Sequence, residues 1–357
     1  MSRSASNAVT PAALGYSMPA EWARHRATWL AWPHNLETWP THLEKVREIW
    51  LRMICALAPH EQVYLLVNTE GVQRDVVARL KAAKAPLDNI TLLGIPTVDT
   101  WMRDYGPTFL TRNSQASPLA FNDWIFNGWG KYESYEEDER VAREIAALLK
   151  VPVFDQQMVF EGGSIDVNGA GTCLTTEQCL LNRNRNAHLS RAEIEEILKS
   201  ALGVRHVIWL GEGIVGDDTD GHIDDIARFV NPTTVACIVE ANSKDDNYAC
   251  LQANYERLQN ARDQDGRKLD IVTLPCPRAV QYEGARLPAS YANFYIANEV
   301  VLVPVFDDPE DKNALGVLQE HFPDRRVIGL RCNEVVAGFG AIHCVTQQEP
   351  AINLFRA

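Results

Sequence analysis

Apolar residues recur at helical spacing in five stretches of the chain. Ile194, Ile197, Leu198, Ala201 and Leu202 form one face, opened by a capping box of Ser190 with Glu193 and stopped at Gly203. Leu43, Val46, Ile49 and Met53 form a second, with Thr41 and Glu44 as its expected opening. Val141, Ile145, Leu148 and Leu149 mark a third, and Tyr248, Leu251, Tyr255 and Leu258 a fourth. Residues 311–322, with Leu315 and Leu318 inside, make the fifth. A short apolar run of strand length follows each, at 62–67, 151–154, 204–210, 269–274 and 325–330.

Strand pairs precede most of these helices. Segments 159–167 and 172–176 flank the hairpin turn Asn168-Gly-Ala-Gly171. Segments 223–230 and 234–239 flank Asn231-Pro232, and 293–297 and 300–305 flank Asn298-Glu299. A looser pair joins 108–111 with 119–126. Strand–strand–helix–strand therefore recurs at roughly 55–65 residues, a spacing suited to a closed ring of like modules. The first module has only 27–32 of its hairpin, and the run 341–346 is left over at the other end. Pairing the two would close a ring of five ββαβ modules. Residues 72–95 add a helix and a strand between the first two modules. An ordinary alternating α/β sheet fits the same string. With no Ser/Gly-rich linker, one domain is expected over 19–357, after a small, polar, flexible tail over 1–18.

Composition narrows the partners. Of 357 residues, 46% are hydrophobic and 23% charged, which suits a globular chain. Asp and Glu number 47 against 34 Lys and Arg, a formal charge of −13 that repels nucleic acid and anionic membranes and attracts a small cation. The longest apolar run, 300–306, is far too short to span a bilayer, and no apolar secretory core opens the chain. Eight cysteines are scattered without a CxxC pair, so a reduced cytoplasm is the expected compartment.

The reactive residues fall in a shared setting. Asp104 lies in Trp101-Met-Arg-Asp-Tyr-Gly-Pro107, Glu161 in Phe160-Glu-Gly-Gly-Ser164, His222 in Thr219-Asp-Gly-His-Ile-Asp224, and Cys344 in Ile342-His-Cys-Val345. Each stands near the start of its module's hairpin, so a ring would converge them on one pocket. Asp224, two residues past His222 on an expected strand, would share its face. The set suits attack on a guanidinium. Carboxylates form charge-assisted, bidentate bonds with that planar cation. A thiolate is a strong nucleophile at neutral pH, and a His and a bound cation both favour it over the thiol. The His can also pass protons to departing ammonia. The net reaction is deimination.

Taken singly, each residue has a plainer reading. A Cys in a β-rich segment is usually a small buried hydrophobe, and Cys173, Cys179, Cys237 and Cys276 are read so here. A His beside an Asp is often a satisfied polar pair. Gly211-Glu-Gly-Ile-Val-Gly216 matches the dinucleotide fingerprint, but Asp217, Asp218 and Asp220 follow where a helix should begin. His222, Asp224, His343 and Cys344 lack the usual zinc spacings. No metal or other cofactor is expected.

At these residues the sequence strongly resembles the agmatine deiminase family, part of the guanidino-group-modifying superfamily. The resemblance runs from Met18-Pro-Ala-Glu-Trp22 to Pro350. Its markers include Thr28-Trp-Leu-Ala-Trp-Pro33, Trp101-Met-Arg-Asp104, Glu161-Gly-Gly-Ser164 and Leu174-Thr-Thr-Glu177. Asn182-Arg-Asn184, Thr219-Asp-Gly-His222, Ser290-Tyr-Ala-Asn-Phe-Tyr295 and Ile342-His-Cys-Val-Thr-Gln-Gln348 follow in order. The resemblance implies a five-bladed α/β-propeller of the pentein type. It also implies hydrolysis of agmatine to N-carbamoylputrescine and ammonia, a step in putrescine and polyamine biosynthesis. Cys344 matches the nucleophile and His222 the general acid/base. Asp104 and Asp224 match the carboxylates that grip the guanidinium, with Glu161 assisting. Trp101 would line the slot, and Asp218 would stand near the distal amine. Relatives are often homodimers. One departure is Gly338-Phe-Gly-Ala341, where relatives commonly carry Gly-Gly-Gly-Asn. Two other readings compete. One is deimination of free or peptidyl arginine, with Arg103 or Arg286 as a carboxylate partner. The other is a guanidino-binding module without catalysis, against which the Cys344–His222 pair stands.

Overall fold

The computed structural model describes residues 9–352. It is a mixed α/β fold in which five sheets share one plan: an antiparallel pair extended on one side by a parallel strand that returns after a helix. Thr108–Thr111, Leu119–Ile125 and Val153–Val159 form one such sheet. Asp166–Val167, Thr172–Thr176 and His206–Leu210 form the next. Ala227–Asn231, Thr234–Val239 and Asp270–Pro275 form a third, and Tyr295–Ile296, Val300–Val305 and Arg326–Arg331 a fourth. The fifth joins the two ends of the chain. In it His25–Ala31 runs antiparallel to Gln347–Pro350 and parallel to Gln62–Leu66, and Ile90–Leu93 adds an outer strand.

The helices lie where the periodicity puts them. Arg191–Leu202 has both halves of its capping box, and Gly203 ends it at φ 68°. Leu43–Leu57, Glu136–Leu149, Tyr248–Asn260 and Asp311–His321 supply the other crossovers. Each turns its apolar stripe inward. Val46, Trp50, Ile54 and Leu57 of the first helix are fully buried, for example, and burying each such side chain is worth roughly 1.5–3 kcal/mol. Trp50 also satisfies its indole N–H by donating to the Ala31 carbonyl at 2.9 Å.

Four expectations are corrected. Thr41 does not cap its helix, because its hydroxyl bonds the neighbouring His42 ring and His42 takes the N-cap position. The flexible tail expected over 1–18 is docked in its described part: Tyr16 is buried, Ser17 bridges Thr111, and the Met18 amide donates to Leu202. Residues 1–8 lie outside the described residues. His222 and Asp224 do not share a strand, since Ile223–Asp225 is a 3-10 turn and pairing begins only at Ala227. Likewise 341–346 is a run of turns, and the strand that pairs with the N-terminal one starts at Gln347.

Candidate active site

Turns, not strands, present the reactive side chains. Asp104 sits in the helical turn Met102–Tyr105, and Glu161 is the N-cap of the 3-10 turn Gly162–Ser164. His222 is the N-cap of Ile223–Asp225, which carries Asp224. The glycine-rich segment that resembles a nucleotide loop leads into a local knot. Asp217 accepts hydrogen bonds from the amides of Thr219, Gly221 and His222 at 2.8, 2.8 and 3.1 Å, which fixes the His222 backbone. Cys344 is tied to the Asp104 turn through its carbonyl, which accepts from the Arg103 amide at 3.1 Å.

These turns converge. Cys344 Sγ lies 3.7 Å from Asp224 Oδ2. His222 Nδ1 lies 3.7 Å from Asp104, and its Nε2 lies 3.9 Å from Glu161. Asp104 accepts from the Gly163 amide and from the Trp129 indole N–H, both at 3.0 Å. Gly163 has no room for a side chain: a Cβ there would stand 2.6 Å from the His222 ring and 2.8 Å from Asp104. Glu161 is fixed by Arg185 Nε at 2.7 Å, buried at both ends. A cavity of about 300 Å³ opens above this cluster, with Trp101, Asp104, Asp218 and Cys344 among its lining residues. His222, Glu161 and Asp224 are fully buried beside them. Asp218 stands in the same cavity but is engaged by Lys131 at 3.3 Å and by the Tyr132 hydroxyl.

Several participants escaped the sequence reading. Asn293 donates from its side-chain amide to Cys344 Sγ at 3.1 Å and to Asp225 at 3.0 Å, while its carbonyl oxygen accepts from the His343 amide. His343 Nε2 meets Glu21 at 2.8 Å, and Glu21 is paired with Arg228 and Arg103 at 2.9 and 3.3 Å. Glu21, Asn293 and His343 all fall inside resemblance markers, which was the one available signal. Cys179 is no plain core thiol, for its sulfur lies 4.0 Å from Glu161. Glu161, Cys179 and His222 bring donor atoms within 4.8 Å of one another, the one such grouping among the described residues that could hold a metal ion. Arg185 already occupies one Glu161 oxygen there. Arg103 is buried against Glu21, and Arg286 is paired with Asp245 at 2.8 Å. Neither lines the cavity.

Burial and charge set the protonation states. Burial pushes Asp104 up to about 6, with Asp224 and Glu161 adding to the rise and His222 opposing it. Burial also acts on Asp224, but the bond to His343 outweighs it and keeps the carboxyl low. Glu161 is likewise held low, by His222 and Arg185 against burial. His222 is raised well above its ordinary value: burial works against its charge, yet Asp104, Cys179 and Glu161 surround it. The Cys344 thiol is driven well above its ordinary value by burial and by Asp224, Asp225 and Asp104. This corrects the expectation that the pocket itself favours thiolate. Without a cation between the carboxylates, the sulfur keeps its proton.

The arrangement is that of a buried thiol beside two acids, with an imidazole packed against them. Besides Asp104 and Asp218, the cavity is lined by Glu37, Asp99, Glu133 and Asp138, and among the described residues by no Lys or Arg. Asp99 and Asp138 are both raised by burial, and Asp138 further by Asp99.

Over residues 17–350 the chain matches the family described as Porphyromonas-type peptidyl-arginine deiminase. It is 39% identical over 369 residues to an agmatine deiminase of Ectopseudomonas mendocina (strain ymp), covering 96% of this chain and 98% of that one. Its fold superposes on an agmatine deiminase of Enterococcus faecalis with a TM-score of 0.88 at 34% identity, covering 96% of this chain and 98% of the other. A substrate-bound agmatine deiminase of C. jejuni is similar at a TM-score of 0.84 and 30% identity, with 94% and 96% covered.

Proposed function

Because the chain belongs to the agmatine deiminase family, we propose that it hydrolyses agmatine to N-carbamoylputrescine and ammonia, with Cys344 as nucleophile. The observation that carries this assignment is the lining of the cavity: the Cys344 thiol, six acidic side chains and, among the described residues, no Lys or Arg. Agmatine carries a guanidinium at one end and an ammonium at the other, and both are drawn to such a site. Arginine adds a carboxylate, which would find no Lys or Arg among the described residues that line the wall. Lys131, the cation nearest Asp218, is already shared with Asp218 and Asp220.

The guanidinium would sit between Asp104 and Asp224. The second oxygen of Asp224, Oδ1, is buried without a hydrogen-bond partner, an acceptor for a guanidinium N–H. The cation then cancels the carboxylate field that held Cys344 protonated, so substrate binding itself favours thiolate, and the thiol proton passes to solvent because His222 is already charged. Sulfur attacks the guanidinium carbon and forms a C–S bond. His222, charged in the free protein, gives its proton to the departing nitrogen, and the C–N bond breaks to release ammonia. Neutral His222 then takes a proton from water. The hydroxide adds to the same carbon, the C–S bond breaks with sulfur leaving as thiolate, and the protonated urea gives its extra proton back to that sulfur, so Cys344 ends as it began. Glu161 helps keep the imidazole charged, and Trp101 flanks the alkyl chain.

The five like sheets and the joining of the two chain ends support a five-bladed propeller forming one domain from residue 19 onward. The product points to a place in putrescine and polyamine biosynthesis, and the eight cysteines, all free, suit a reducing cytoplasm. Ammonia release measured over agmatine, arginine and a blocked arginine peptide tests the assignment. Agmatine is expected to be turned over far better, and equal or faster turnover of either arginine substrate would overturn it.

A further inference from the structure

Two aromatic residues of the cavity wall stand in a backbone conformation that bulky side chains rarely adopt. Trp129 has φ 56° between Gly128 and Gly130, and Phe339 has φ 70° between Gly338 and Gly340. A left-handed conformation is costly for a residue with a large side chain, and such outliers cluster where a site needs them. For Trp129 the need is visible: its indole N–H holds Asp104 at 3.0 Å. Phe339 has no polar group to place. Its ring is 40% exposed, so burial in the core does not account for it either.

The segment around Phe339 is nonetheless fixed. A Cβ on Gly340 would stand 2.4 Å from the Trp101 ring, and one on Gly338 would stand 2.8 Å from Trp39. The backbone therefore lies against two tryptophans, themselves packed at 5.6 Å between ring centroids. This leaves the Phe339 side chain at the cavity wall with Trp101, Trp129 and Cys344.

We infer that Phe339 is a specificity-determining residue: with Trp101 and Trp129 it forms an aromatic collar round the alkyl chain, selecting straight-chain guanidino amines over α-substituted ones. Methylenes pack on aromatic faces, and an ammonium beyond them is attracted to the ring quadrupole. A carboxylate or peptide branch on the chain would meet the collar's rim and the acidic wall together. The inference rests on the proposed deiminase reading and names what that site selects.

The test compares wild type, Phe339→Gly and Phe339→Leu on agmatine, arginine and a blocked arginine amide. Loss of one aromatic packing contact corresponds to about a tenfold change. Phe339→Gly should raise KM for agmatine about tenfold with kcat within about twofold, and narrow the preference for agmatine over arginine by at least as much. It should not lower Tm, because glycine relieves the left-handed strain. Phe339→Leu, which keeps bulk at the rim, should retain most of the preference. A parallel calorimetric titration of agmatine into Cys344→Ala, with and without Phe339→Gly, reads the same tenfold loss without turnover. If wild type released no ammonia from agmatine, the deiminase reading would fall while this titration still judged the collar. Unchanged KM, selectivity and binding in Phe339→Gly would overturn the inference, as would a lowered Tm with kcat falling and KM unmoved.

Discussion

His343 Nδ1 lies 2.6 Å from Asp224 Oδ2, so the residue next to Cys344 anchors the carboxylate that faces its sulfur. The other face of the imidazole meets Glu21, which Arg228 and Arg103 hold in turn. One oxygen of Asp224 is thereby bound from behind while the other stays unpartnered. A buried acceptor without a donor costs roughly 1–3 kcal/mol, relieved when a guanidinium supplies one.

Asp224→Asn and Asp104→Asn are therefore each expected to lose activity severely while staying folded. Removing one carboxylate leaves a desolvated guanidinium under-paired, at a cost of roughly 2–5 kcal/mol. Steady-state kinetics beside far-UV circular dichroism checks this. Near-wild-type kcat/KM in either variant would show that its carboxylate does not hold the guanidinium.

The module order, the five crossover helices and the identity of the four converging loops were all legible in the sequence. Amphipathic periodicity and capping boxes are local signals, and Ser190, Glu193 and Gly203 show them in full. The turns that carry the site were not legible. The turn at Gly221-His222 is held by the Asp217 carboxylate four and five residues earlier, a side-chain-to-backbone contact that hydrophobic periodicity does not register. Long-range partners were equally hidden. Glu21 and Arg228 are 207 positions apart and Asn293 and Cys344 are 51 apart, so no local pattern joins them. The protonation state of Cys344 also depended on Asp225, whose burial no periodicity reveals.

The pH profile follows from Asp104. Its carboxyl is raised to about 6 by burial and by neighbouring acids, and only the ionised form can pair with the substrate. Below that pH it is protonated, so kcat/KM should fall on the acid side with a limb near 6. Trp129→Phe removes the indole N–H that favours the charged form. The acid limb should then move to higher pH, with the alkaline side unchanged. A limb that stayed in place would separate Asp104 from the titration.

Gly163→Ala should inactivate the protein without unfolding it. Its new methyl group would stand 2.6 Å from the His222 ring and 2.8 Å from Asp104, nearer than real contacts allow, and 3.1 Å from Asp224, tighter than most. His222 and both carboxylates would have to move, and displacements of this size at reacting groups cost on the order of 10²-fold in rate. The expected result is a loss of that order or more in kcat, with Tm lowered only modestly. Full activity in this variant would show that the cluster tolerates rearrangement and is not the reacting centre.

Cys344 should carry a covalent adduct during turnover, and the other seven cysteines should not. Cys173, Cys237 and Cys332 are buried with their thiols pushed up by burial, and none lines the cavity. Cys179 is the demanding control, because it too stands near Glu161 and is coupled to His222. Yet it is fully buried and does not line the cavity that a guanidinium would enter, whereas Cys344 does. The two-step route through a thio-linked intermediate replaces one hard displacement by two easier ones. Acid-quenched samples analysed by intact-protein and peptide mass spectrometry should show the amidino adduct on the peptide containing Cys344. Cys344→Ala should bind agmatine, since the carboxylates remain, and release no ammonia. Cys179→Ala should still form the adduct at Cys344. An adduct on Cys179, or substantial ammonia release by Cys344→Ala, would require another mechanism, such as direct attack by water.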